Sequence, residues 1–290
     1  MWCPCWSTRW AACCCEKTDH ARYDAVIKLI SLDLDGTLLG PDGDLTPGAA
    51  GAIARAREAG LRVVLNTGRP LTEAGYFARK AGCDNLVSCL GGALLGDAQT
   101  GAELRRWDIP QPWGFRALEI CLGRGLEITI FLRQPGGAGP LLQGIPAAHL
   151  PLPGVPQGRS GDGGPTVLYA GAEHARDQDP RGLGPLPTEG AGGAGEGGAH
   201  HLHAHRFLRL SPGGVNKGST LALIALMYGI PLEQCAAVGD SENDLPMLEA
   251  AGLAIAMGNA PEHVRAAARR VVDTNAQGGV VQAILSCLEH

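Results

Sequence analysis

The chain has 290 residues, of which 45% are apolar and 18% charged, ordinary values for a globular protein with a substantial core. A formal net charge of −5 without a long basic run argues against nucleic acid or an anionic membrane surface as the main partner. No apolar stretch is long enough to cross a bilayer.

Five of the ten cysteines crowd the first fifteen residues (Cys3, Cys5, Cys13, Cys14, Cys15) with no paired C-x₂-C spacing. Residues 1–24 are therefore expected to form a Cys-rich extension without fixed structure, a zinc site being the alternative reading. The remaining cysteines (Cys83, Cys89, Cys121, Cys235, Cys287) lie singly in apolar surroundings. They read as reduced, buried thiols of a cytoplasmic protein.

The regular text starts near Ala25. Val26–Leu32 is a short apolar run suited to a strand buried on both faces. Thr46-Pro47 predicts a helix through Ala59, with Thr46 as N-cap and Gly60 closing it. A second buried strand is expected over Leu61–Leu65 and a second helix over Leu71–Ala81. Strands and helices alternating at this spacing imply right-handed crossovers and a parallel sheet. The pattern resumes with a helix over Lys217–Tyr228, a strand at Cys235–Val238 and a helix over Leu245–Ala251. A strand at Leu253–Ala256 follows, with helices near Pro261–Arg269 and Gly279–Leu288.

The middle of the chain reads as an α+β insert. Strands are expected at Leu104–Ile109, Leu126–Leu132, Val167–Ala170 and Leu202–Leu210, with a helix at Trp113–Leu122. Residues 134–199 hold 18 Gly and 10 Pro, a proportion at which poorly ordered loop is the default expectation. The boundaries drawn are 25–90 and 208–290 for the core and 91–207 for the insert. The fold class is α/β, a Rossmann-like parallel sheet with an inserted α+β cap.

Four short segments carry chemistry. The first strand runs into Asp33-Leu34-Asp35-Gly36-Thr37, two carboxylates one residue apart where open α/β sheets place their ligands. A capped turn is the alternative there. Thr67-Gly68-Arg69 follows the second strand with a hydroxyl and free N–H groups suited to phosphate oxygens. Lys217 stands at a helix start, where cation and dipole both favour an anion. Gly239-Asp240-Ser241-Glu242-Asn243-Asp244 follows a third strand with carboxylates suited to a hard cation. His201, His203 and His205 alternate along one expected strand face, as a polar face or as metal ligands. Arg105, Arg106 and Arg133 are either solvated or readers of a second anionic group.

This ordered set resembles the haloacid dehalogenase superfamily, and within it the Cof-type sugar-phosphatase-like hydrolases, over Ile27–Gly92 and Leu208–Val281. The resemblance extends to the tail Asn259-Ala260-Pro261-Glu262. It implies a Mg²⁺-dependent phosphatase of a small phosphorylated metabolite, acting through an aspartyl-phosphate, with the insert as a mobile cap. By position, Asp33 would be nucleophile and metal ligand, and Asp35 general acid–base with its carbonyl on the metal. Leu34, Thr67, Gly68, Lys217 and Asn243 would meet the phosphoryl group. Asp240 would complete the metal site and Asp244 support it. A carboxylate at position 35 favours phosphatases and phosphomutases over the superfamily's ATPases. A phosphomutase, or a member that binds without turnover, is the rival reading. Gly91-Gly92 departs from the Asn-Gly common at that point, so any substrate contact from that Asn is absent.

Overall fold

The computed structural model describes residues 26–109, 116, 127–132, 145–146, 167–173 and 207–289. The Cys-rich extension, the three histidines at 201–205, Arg133 and most of the expected helix Trp113–Leu122 lie outside them. So does most of the Gly/Pro-rich stretch 134–199.

An eight-stranded sheet forms the core. Its strands in chain order are β1 (Leu29–Leu32), β2 (Arg62–Asn66), β3 (Leu86–Cys89), β4 (Leu94–Asp97), β5 (Glu103–Arg106), β10 (Cys235–Gly239), β11 (Leu253–Ala256) and β12 (Arg270–Val271). Their spatial order is β12-β11-β10-β1-β2-β3-β4-β5. From β12 to β3 the pairing is parallel, and β4 and β5 add an antiparallel edge. A second, antiparallel sheet comprises β6 (Glu127–Leu132), β7 (Ile145–Pro146), β8 (Val167–Glu173) and β9 (Phe207–Leu210), in the order β7-β6-β8-β9. The expected insert strand at Leu104–Ile109 is thus β5, and it pairs with β4 at the edge of the large sheet. Three core strands, β3, β4 and β12, have no counterpart in the sequence reading.

The two faces of the large sheet are read off alternate residues, as the pleat requires. Ile30, Leu32, Val63, Leu65, Ala236 and Val238 join one cluster, Leu29, Val64, Cys235 and Ala237 the other. Helices α1 (Ala49–Glu58), α2 (Leu71–Ala81) and α6 (Gly279–Ser286) bury Ala52, Ile53, Ala74, Ala78, Ala283 and Ile284 on the first face. Helices α3 (Lys217–Tyr228), α4 (Leu245–Ala250) and α5 (Glu262–Ala267) bury Leu221, Ile224, Met247, Leu248 and Val264 on the second. Helices on both faces leave β1 and β10 as near-continuous apolar runs, and their carboxyl ends open side by side. Among the described residues no helix is long and apolar enough to cross a membrane.

The start of α1 corrects the sequence reading. The helix begins at Ala49, and Gly48 in left-handed backbone precedes it without a side-chain cap. Thr46 is held elsewhere: its N–H donates to the Leu38 carbonyl at 3.0 Å, beside an antiparallel bridge between Leu39 and Leu45. Its hydroxyl is buried without a hydrogen-bond partner among the described residues.

Candidate active site

Asp33 continues β1, its N–H donating to the Val238 carbonyl of β10 at 2.9 Å. The chain then turns through a single π-type turn, Leu34–Leu38, in which Gly36 takes φ of 78°. Only glycine fits this point. A Cβ at Gly36 would lie 2.2 Å from Oδ2 of Asp240, quite apart from the left-handed backbone. Gly36 therefore lets the turn pass directly over the carboxylate that follows β10.

Lys217 opens α3. Asn216 caps that helix: its side chain accepts from the Ser219 N–H, and the Ser219 hydroxyl accepts from the Asn216 N–H. The Asn66 amide, at the end of β2, donates to the Lys217 carbonyl at 2.8 Å. These contacts aim the lysine chain inward, where Nζ donates to Oδ1 of Asp33 and to Oδ1 of Asp244, each at 2.5 Å. The side chains are nearly sealed from solvent, with exposures of 1% for Lys217, 5% for Asp33 and 0% for Asp244.

Asp244 closes the circuit. Its Oδ2 accepts from the Asp240 N–H (3.0 Å), the Ser241 N–H (2.9 Å) and the Ser241 hydroxyl (3.1 Å). Both its oxygens are thus committed inside the protein. Asp33, Asp240 and Asp244 bring carboxylate oxygens within 4.8 Å of one another.

Three carboxylates facing one ammonium leave an excess of negative charge in a poorly solvated place. Burial, and next the charge of Asp244, hold the Asp33 carboxyl well above the usual carboxylate range, with Lys217 only partly offsetting them. Burial and Asp244 likewise push Asp240 up to about 6. Burial opposes the charge of Lys217, but Asp244 and Asp33 outweigh it and raise its pKa. The directions agree: the cluster is short of positive charge. Hard oxygen donors in that state suit a divalent cation. The members best placed to turn to one are Asp33, bonded through Oδ1, and Asp240, held by the long bonds from Thr37 (3.3 Å) and Asn259 (3.2 Å).

A second group lies at the solvent edge. Nε and Nη2 of Arg69 grip the two oxygens of Asp35 at 2.9 and 2.5 Å, and Nη1 reaches Glu73 at 3.2 Å. The guanidinium also lies 5.4 Å from the centre of the Phe77 ring. Thr67 is buried beside this pair, its hydroxyl accepting from the Arg69 N–H at 3.2 Å. Gly68, partly exposed, joins the two. Asn243 is half-buried, and its Oδ1, 2.9 Å from the Ser241 hydroxyl, shares that single proton with Asp244. The Leu34 side chain is fully buried, so only its peptide group is left to meet a ligand. Gly92, in the Gly91-Gly92 pair, packs against the capped start of α3: a Cβ there would lie 2.4 Å from the Asn216 carbonyl oxygen. Arg69 and Asn259, whose amide touches Asp240, were given no role from sequence. The hints were the nearness of Arg69 to Thr67 and the place of Asn259 in the tail that the resemblance includes.

A family model of haloacid dehalogenase-like hydrolases matches residues 30–134 and 202–284. The pyridoxal phosphate phosphatase YbhA of Escherichia coli K12 is 29% identical over 280 residues, covering 90% of this chain and 98% of its own. The 5-amino-6-(5-phospho-D-ribitylamino)uracil phosphatase YcsE of Bacillus subtilis 168 is 27% identical over 267 residues, 91% and 96% of the two chains. In fold, a haloacid dehalogenase-like hydrolase structure from B. subtilis superposes with a TM-score of 0.67 at 23% identity, over 89% of this chain and 99% of that one. The sheet order, the ordered segments and the matched length agree, and the chain belongs to the haloacid dehalogenase-like hydrolase family.

Proposed function

We propose that this protein is a Mg²⁺-dependent phosphatase of a small phosphorylated metabolite, with Asp33 as the covalent nucleophile. One observation carries the reading: at the open ends of β1 and β10 the buried carboxylate of Asp33 shares one lysine with Asp244, and Asp240 brings a third carboxylate within 4.8 Å of both. That surplus of charge is costly unless a cation and a phosphoryl group complete it. The two named phosphatase relatives cover nearly the full chain, which favours the same reaction class.

In this reading an oxygen of Asp33 attacks phosphorus and the ester P–O bond breaks, leaving an aspartyl-phosphate. Asp35 gives its proton to the departing alkoxide, then takes one from the water that attacks the phosphoenzyme and releases phosphate. Lys217 holds the phosphoryl oxygens while keeping Asp33 in place. Thr67, the Gly68 and Leu34 peptide groups and Asn243 complete the cradle. Asp33, Asp240 and the Asp35 carbonyl would hold the cation, whose role is to offset charge as it builds on the phosphoryl oxygens. Asp244, with both oxygens occupied, supports that group and orients Lys217.

Asp35 carries an added requirement. As a carboxylate chelated by Arg69 it is a base, and to act as an acid it must release that grip. An incoming phosphate dianion competes for Arg69, and Asp35, once free at the solvent edge, takes up from water the proton that it passes to the departing alkoxide. We assign substrate choice to the part of the insert that follows β5 in the chain.

The test is phosphate release from a panel of phosphorylated metabolites, including pyridoxal 5′-phosphate. Activity is expected with Mg²⁺, is lost in excess chelator and returns when Mg²⁺ is restored. Full turnover in chelator defeats the metal assignment. An isomerised sugar phosphate in place of free phosphate would make the protein a phosphomutase.

A further inference from the structure

One side chain outside the charged cluster touches two of its elements at once. Asn259 follows β11, and its Nδ2 donates to the Gly36 carbonyl at 2.9 Å and to Oδ2 of Asp240 at 3.2 Å. Its Oδ1 accepts from the Asn275 N–H at 2.9 Å. The amide orientation is dictated, because the reverse would set its oxygen against a carbonyl and a carboxylate. Asn275 in turn donates through Nδ2 to the Leu39 carbonyl at 2.9 Å. Two asparagines from the last third of the chain thus pin the Leu34–Leu38 turn at its middle and just past its end. The other oxygen of Asp240 accepts from Thr37, in the same turn, at 3.3 Å. Asp240 is therefore held from both sides by neutral donors.

The chemistry of the donor matters. A lysine or arginine at 259 would neutralise Asp240 and compete with a cation. An amide fixes the direction of the carboxylate and leaves its charge intact. Asparagine is also an ordinary turn former, but a turn role needs no bond to a carboxylate 19 residues away. We propose that Asn259 is a positioning residue that presets Asp240, and with it the Gly36 end of the nucleophile turn, to receive a divalent cation, with Asn275 as its brace. The inference rests on the metal-dependent reading above.

The test is Mn²⁺ binding to the full-length protein without substrate, followed by electron paramagnetic resonance. Asn259→Ala is expected to weaken Mn²⁺ binding about tenfold, as loss of a partner behind a metal ligand commonly does. Asn275→Ala should weaken it by a smaller factor, and it carries the test if Asn259→Ala fails to fold. Activity of Asn259→Ala at limiting Mg²⁺ should fall and recover as Mg²⁺ is raised. Parental Mn²⁺ affinity in both variants overturns this inference alone. A parent protein that binds no Mn²⁺ overturns the metal-dependent reading and this inference with it.

Discussion

The inner and outer ion pairs of the site use the same chemistry in opposite surroundings. Lys217, Asp33 and Asp244 are sealed, with side-chain exposures of 1, 5 and 0%, and are held by the cap of α3 and by peptide groups. Arg69 and Asp35 are exposed to 30 and 55%. A buried pair is strong only while complete, since a lone charge left there has no water to turn to. An exposed pair is cheap to break and re-form. In the proposed reaction the inner group does fixed work, holding a nucleophile and an anion. The outer group suits work that requires release, such as proton transfer.

The contrast is broken most severely by Lys217→Met. It strips the one ammonium that, among the described residues, faces this buried carboxylate cluster, and the expected cost is about 3–5 kcal/mol in urea unfolding near neutral pH. The cost should shrink as pH falls, because burial and the charge of Asp244 raise the proton affinity of Asp33 and favour its neutral form. A loss below 1 kcal/mol at neutral pH would show that the inner group is not the stiff one.

A next effect concerns Asp240, whose carboxyl is pushed by burial and the charge of Asp244 from an ordinary 3.8 up to about 6. A raised folded-state pKa means that the native state takes up the extra proton. Its stabilising contribution is full below pH 3.8 and is lost as pH rises through 6. Asp240→Asn carries no such charge. Without metal, its melting temperature should rise above the parent's between pH 4 and pH 6.5. Added Mg²⁺ should erase or reverse that gap at pH 7.5. Parental Mg²⁺ affinity should fall by up to about tenfold per pH unit below 6, as protons compete for the ligand. A pH-independent gap between the two proteins would contradict the charge excess described here.

The smallest change in stability is expected at the outer pair. Arg69→Ala should alter unfolding free energy by less than about 1 kcal/mol. Turnover should nonetheless fall by about 10–10²-fold, because the incoming phosphate loses the guanidinium that it draws away from Asp35. Loss of stability comparable to Lys217→Met would mean that the two pairs do not differ as claimed.

Much of the inner site was legible because its parts are local. Helices α2 and α3 and strand β11 run between the residues expected from sequence, since apolar period and closing glycines at Gly82 and Gly229 mark their ends. Asp33, Asp240 and Lys217 were each recognisable as residues at a strand end or helix start. Strands β3 and β4 were not, being four residues each around a turn where Leu90 has φ of 52°. Strand β12 is two residues long and exists only through its pairing with β11. The Arg69–Asp35 grip spans 34 residues and depends on how the π-type turn presents Asp35, which no local pattern encodes. The Asn259 contact, 223 residues from Gly36, is hidden for the same reason.

The central claim is that Asp33 takes the phosphoryl group and Asp35 moves the proton. It is met most directly by intact-mass measurement after mixing with a nitrophenyl phosphate ester and Mg²⁺. That leaving group needs little protonation, so Asp35→Asn should become phosphorylated and stall, its hydrolysis slowed by about 10²–10⁴-fold. One added phosphoryl group is expected on Asp35→Asn and none on Asp33→Asn. A phosphoryl group on Asp33→Asn would place the nucleophile elsewhere and contradict the account.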